Sequence, residues 1–126
     1  MKKLQRINYP QLGEVKAPYV HAVKHNDTLY VSGLTAFGTP AQREGIAAQA
    51  EAIFYQLKQI TAVENITFDA LIKVTIFVTS LNELTALREV LFSHFGQNLP
   101  ASSLVQVNGL FSPDLHIEIE AVFATA

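Results

Sequence analysis

The sequence predicts an α+β fold in which one mixed sheet carries two helices on a single face. Three observations lead there. Apolar residues recur with a period of two, most plainly at Leu115, Ile117, Ile119, Ala121 and Phe123, as in a half-covered strand. Elsewhere Ile46, Ala50, Ile53, Phe54, Leu57 and Ile60 stand three and four apart, the spacing of an amphipathic helix. The elements then run strand, hairpin, helix, strand, helix, strand, strand, and such alternation argues for one shared sheet.

Leu4 to Ile7 reads as a short strand, with Lys2, Lys3 and Arg6 as a solvated edge, followed by a loop with Pro10, Gly13 and Pro18. Tyr19 to Lys24 and Thr28 to Ser32 form a hairpin across His25-Asn26-Asp27, residues that suit a turn. Gly33, Gly38, Pro40 and Gly45 mark the next loop, and the first helix runs from Gln42–Gly45 to about Ala62. Leu71 to Thr79 is a strand with Ile72, Val74, Ile76 and Val78 on one face and Lys73, Thr75, Phe77 and Thr79 on the other. The second helix, Asn82 to Phe95, is expected to be capped by Ser80 or Asn82 and stopped by Gly96. Ser103 to Val107 and Leu115 to about Ala124 are the last strands, joined by a loop with Gly109 and Pro113. The sheet face away from the helices then shows Tyr30, Thr75, Phe77 and Val122 beside Glu118 and Glu120. That mixed apolar and acidic character suits burial against other subunits better than open water.

At 126 residues the chain is read as a single domain, 1–126. Charged residues are 16%, against about 25% in an average soluble domain, and apolar residues reach 49%. A chain so apolar and so poor in charge points to surface hidden in an oligomer interface, the alternative being a well-filled core. No apolar run approaches the roughly 18–20 residues of a membrane span, so no membrane partner is expected. The net charge of −2 and the scattered basic residues leave no footprint for nucleic acid. Cysteine is absent, which excludes disulfides, thiolate metal sites and a cysteine nucleophile. Leu4-Gln5-Arg6-Ile7-Asn8 is no secretory leader, so the expected compartment is the cytoplasm. No dinucleotide or phosphate loop and no nucleophile elbow is present. His21, His25, His94 and His116 lack zinc spacing, and His116 with Glu118 makes only two ligands. No cofactor and no metal is therefore predicted, and the partner expected is a small-molecule ligand.

Glu118 and Glu120 lie on one strand face at about 6.6 Å. Paired carboxylates can do acid/base work, but two acids on one strand face are more often structural or solvated. Arg88 falls on an apolar helical stripe with Leu84, Leu91 and Phe95. It either snorkels or pairs at a subunit interface, or it holds an anionic ligand.

Ala17-Pro18-Tyr19-Val20, Val31-Ser32-Gly33, Lys73 to Val78, Pro100-Ala101, Val105, Leu110 and Ile117-Glu118-Ile119-Glu120-Ala121 occur in an order that resembles the Rid (YjgF, or UK114) family over essentially the whole chain. The resemblance implies a chorismate-mutase-like (YjgF-type) subunit, a homotrimer with a central barrel, and ligand clefts between subunits. It implies hydrolysis of a small imine or enamine, with Glu118 positioning water and Tyr19, Ser32 and Gly33 shaping the pocket. From the residues alone, Tyr19 is equally an aromatic near a strand start, and Ser32-Gly33 a strand entering a turn.

The chain also departs from the family at the carboxylate anchor. Ser102 stands where the family has an arginine directly after Pro-Ala, and one neutral donor cannot reproduce a bidentate guanidinium grip. Leu104 replaces the family's frequent cysteine and makes that wall apolar. Arg88 stands where the family often has a site-facing asparagine, and it is the candidate for the missing cation. Two functions are therefore expected. One is a Rid-type hydrolase whose substrate is not the usual 2-iminopropionate. The other is a non-catalytic ligand-binding or regulatory trimer. The ribonuclease activity attributed to some relatives is not expected, because the chain has neither a basic surface nor an acid/base histidine pair.

Overall fold

In the computed structural model, which describes residues 4–125, six strands form one sheet. Lys2 and Lys3 lie outside the described residues. The strands are β1 (Leu4–Ile7), β2 (Ala22–His25), β3 (Thr28–Leu34), β4 (Leu71–Val78), β5 (Ala101–Gln106) and β6 (Ile117–Ala124). The helices are α1 (Ile46–Glu64) and α2 (Leu84–Phe95). The sheet order is β1-β2-β3-β6-β4-β5. Only β4 and β5 run parallel; the other neighbours are antiparallel.

The last strand enters the middle of the sheet, between β3 and β4. That position seals the period-two face read from the sequence: Ile117, Ile119, Ala121 and Phe123 are buried with Leu29, Val31, Val74 and Ile76. From α1, Ala50, Ile53, Phe54, Leu57 and Ile60 pack onto this core, and α2 adds Leu87, Val90 and Phe95. The opposite face holds Tyr30 opposite Val122, Thr75 opposite Glu120 and Phe77 opposite Glu118. Tyr30 keeps 49% of its surface exposed there, high for an aromatic on a sheet. Among the described residues no helix is long and apolar enough to cross a membrane.

Several boundaries differ from the sequence expectation, each for a local reason. Ile72 does not join Val74 on the buried face. Leu71 pairs with Phe123 and Lys73 with Val122, so Ile72 is the extra residue of a bulge. A bulge reverses the alternation, so Leu71 is buried and Ile72 exposed. Strand β2 begins at Ala22 rather than Tyr19, because the Tyr19 amide donates to the Ala17 carbonyl in a tight turn after Pro18. The hairpin turn places Asn26 at φ 54°, a conformation asparagine tolerates.

Strand β3 continues past Ser32 to Leu34, through a register shift between Val31 and Leu34. Helix α1 ends on Asn65 in the left-handed conformation. Neither Ser80 nor Asn82 caps α2: its first turn follows Glu83, and Ser80 Oγ accepts from the Asn82 amide instead. Gly96 does end α2, at φ 57°. Strand β5 begins two residues early, at Ala101, because parallel pairing with β4 starts at Lys73. Strand β6 starts at Ile117, although Leu115 is already buried.

Candidate functional site

Glu118 lies on β6 with Phe77 opposite, on the helix-free face. Its side chain folds over Gly33, at the irregularity in β3. A Cβ on Gly33 would fall on the carboxylate, 2.8 Å from Cδ and 3.0 Å from Cγ. The glycine is required by this close approach rather than by its backbone angles. The three nearest atoms all belong to the Glu118 side chain, so Gly33→Ala should leave the fold intact and swing the carboxylate aside. A displacement of that size should lower any turnover that depends on Glu118 about 10²-fold, measured beside a melting temperature close to wild type. Unchanged turnover would show that the Glu118 position does not matter.

Burial pushes the Glu118 pKa above the usual carboxylate range, and the charge of Glu120 adds to the shift. No ion pair reaches Glu118 among the described residues. It is a carboxylate ready to take a proton.

Glu118 borders a cavity of about 700 Å³ together with Tyr19, Ser32 and Gly33. The structure thus brings together four residues singled out from the sequence. The Ser32 hydroxyl, however, donates to the Val20 carbonyl at 2.6 Å, and the Ser32 amide donates to the His21 carbonyl. What Ser32 has left to offer a ligand is its oxygen as an acceptor.

His21 lines the same cavity and was missed in the sequence. It is buried, its amide donates to Asn8 Oδ1, and its Nδ1 accepts from the Tyr9 amide at 2.9 Å. An accepting Nδ1 requires a neutral ring with its proton on Nε2, and burial lowers the His21 pKa in the same direction. Tyr9 is held in turn by Glu64, its hydroxyl donating to Oε2 at 2.8 Å while Lys24 pairs with Oε1 at 2.6 Å. His21 therefore presents an oriented N–H donor. The available signal was its spacing, two residues after Tyr19 in the strand expected from Tyr19 to Lys24. Lys16 and Gln56 also border the cavity, and Gln56 Nε2 donates to the Thr35 carbonyl at 2.8 Å.

The other candidates lie elsewhere. Ser102 pairs with the buried Val74, so it faces the helix side of the sheet, opposite to Glu118. It lines a groove of about 400 Å³ with Arg88, Leu91, Phe92, Phe95 and Pro100. Arg88 has no ion pair among the described residues. Leu104 packs half-buried against the core and lines neither hollow. Glu120 borders a different hollow with Lys73, Thr75 and Tyr30, so the two glutamates do not share one cavity. A single chain thus holds two separate hollows: a cavity bordered by the Glu118 carboxylate and a groove lined by Arg88.

The profile of the family described as endoribonuclease L-PSP matches residues 11–125. The chain belongs to that family. Within this L-PSP family it is 34% identical over 110 residues to the protein named MMF1, mitochondrial, of Saccharomyces cerevisiae, covering 84% of this chain and 75% of that one. It is 32% identical over 110 residues to the 2-iminobutanoate/2-iminopropanoate deaminase of Salmonella typhimurium, covering 83% and 85%. The crystal structure of RidA from an Antarctic Psychrobacter superposes with a TM-score of 0.85 at 30% identity, covering 95% of this chain and 98% of that one. These L-PSP and Rid relatives confirm the family and the mixed α+β fold expected from the sequence.

Proposed function

We propose that this protein hydrolyses a small imine or enamine in a cleft between subunits of a homotrimer. The observation that carries the reading is Glu118, a half-buried carboxylate with a raised pKa, set on a glycine at the edge of a large cavity. In the proposed reaction water attacks the C=N carbon while Glu118 takes a proton from it. That proton passes to the imine nitrogen to give a carbinolamine. On its collapse the C–N bond breaks as the hydroxyl proton is carried through Glu118 to the departing nitrogen, so ammonia leaves and a carbonyl product remains; an enamine first tautomerises to the imine. His21 Nε2–H donates to a heteroatom of the bound molecule. Naming of a deaminase among the relatives supports the same class.

The separation of the Glu118 cavity and the Arg88 groove within one chain supports the trimer reading. The exposed sheet face of Tyr30, Phe77 and Val122 would line the central barrel. The Arg88 groove of one subunit would then close on the Glu118 cavity of the next, supplying a cation for an anionic substrate where Ser102 cannot. Arg88→Ala should weaken binding of a 2-oxo acid about tenfold or more, as expected for losing one charge-assisted contact, read by calorimetry. If Arg88→Ala binds normally and Lys16→Ala does not, the anchor is Lys16 instead. The cytoplasm is the compartment proposed from the sequence, although a yeast relative is named mitochondrial.

The deciding experiment is hydrolysis of freshly generated 2-iminopropionate by wild type, Ser102→Arg and Glu118→Gln. A gain of activity in Ser102→Arg over a weak wild type supports an intact machinery lacking the usual anchor. Strong wild-type activity would show that Ser102 is no obstacle. Inactivity of every variant on all imines, with ligand binding retained, favours the non-catalytic binding trimer.

A further inference from the structure

Two phenylalanines at the mouth of the Glu118 cavity are not used by the proposed hydrolysis. Phe37, in the loop after β3, and Phe111, in the loop before β6, both line the cavity. They leave 55% and 68% of their surfaces exposed, yet they pack on one another with centroids 5.1 Å apart at 59°. Exposed aromatics on two separate loops would ordinarily drift. Here both loops are tied to one another. Gln42 accepts from the Gly38 amide at 2.7 Å through Oε1, and its Nε2 donates to the Asp114 carboxylate at 3.2 Å. Arg43 and Ser112 also hold Asp114, and the buried Gln49 donates to the Asp114 carbonyl at 2.8 Å while accepting from the His116 amide. The pair is fixed before any ligand arrives, which reduces the ordering cost of binding.

We infer that Phe37 and Phe111 form an apolar subsite that selects a substrate bearing an aromatic or large aliphatic side chain. The inference rests on the proposed imine chemistry for the class of substrate, a 2-imino acid, and adds the nature of its side chain. Tyr19, 55% exposed on the same cavity, extends the aromatic wall. A methyl substituent would leave these rings in water. A phenyl or isobutyl group would cover them, and aromatic contacts reward that burial in a geometry-dependent way.

The test has a catalytic and a binding arm. In the first, imines are generated in place by an amino-acid oxidase from alanine, leucine or phenylalanine, and hydrolysis is timed against semicarbazide trapping. Wild type should prefer the phenylalanine- and leucine-derived imines, and Phe111→Ala or Phe37→Ala should cut that selectivity ratio about tenfold. In the second, phenylpyruvate and pyruvate are titrated by calorimetry. Phenylpyruvate should bind about tenfold more tightly, and the phenylalanine variants should remove the difference. If no imine is hydrolysed but the phenylpyruvate preference depends on Phe111, the hydrolase reading fails and the subsite stands. Equal binding of the two acids, no binding of either, or a preference that survives both substitutions overturns the subsite. So does a changed oligomeric mass in Phe111→Ala, which would assign the pair to a subunit contact.

Discussion

Replacing Glu118 by glutamine should lower the proposed imine hydrolysis by about 10²–10⁴-fold, the range supplied by a positioned general base. Glutamine keeps the shape that fits over Gly33 but cannot take the proton from water. The raised pKa also sets the pH dependence. In the proposed hydrolysis Glu118 must be ionised to act, so that activity should fall as pH drops through a value above the usual carboxylate range. Stability runs the other way. A carboxylate whose folded-state pKa exceeds its unfolded value costs the fold stability at neutral pH, and the cost is relieved as pH falls through the window between the two values. Glu118→Gln should therefore melt no lower than wild type at pH 7, with the difference shrinking as the solution is acidified. Paired rate and melting curves across pH would check both signs. A glutamine variant that keeps its rate would remove Glu118 from the chemistry.

The largest stability loss should come from Phe54→Ala, about 3–5 kcal/mol by the usual cost of deleting a core phenylalanine. Phe54 is completely buried in α1. Its ring stacks on His94 of α2, with centroids 4.4 Å apart at 4°, meets Phe95 edge-on at 5.5 Å, and touches Phe68 at 5.9 Å. His94 is further held by Glu51, its Nε2 lying 2.6 Å from Oε1. Removing one ring therefore loosens both helices from each other and from the turn that leads into β4. Urea unfolding at fixed protein concentration measures the effect. A loss below about 1 kcal/mol would mean that the cluster collapses into the gap, because the cost of such a deletion depends on how well the site relaxes.

Much of the fold was legible in the residues. Ile53, Phe54, Leu57 and Ile60 announce a helix face, and Ile117, Ile119 and Phe123 a strand face, because side-chain direction follows backbone period and the core sorts by polarity. Ile72 was misread because a bulge inserts one residue without changing composition, and only the pairing partners across β6 reveal it. The α2 cap was misread because Ser80 had a nearer amide to accept from.

The site divides the same way. Glu118, Tyr19 and Ser32-Gly33 were reached as residues resembling a family pattern. The chain by itself determined the element order and the helix-free face of Tyr30, Phe77 and Val122, and the resemblance implied that Ser102 stands in the place of an arginine. Only the tertiary structure decided that Glu118 rests on Gly33, that His21 is held neutral by Tyr9, and that Arg88 joins Ser102 across the sheet from Glu118. Those are contacts between segments distant in sequence. Local periodicity reports which way a side chain points relative to its own backbone, and carries no information about what arrives from elsewhere to meet it.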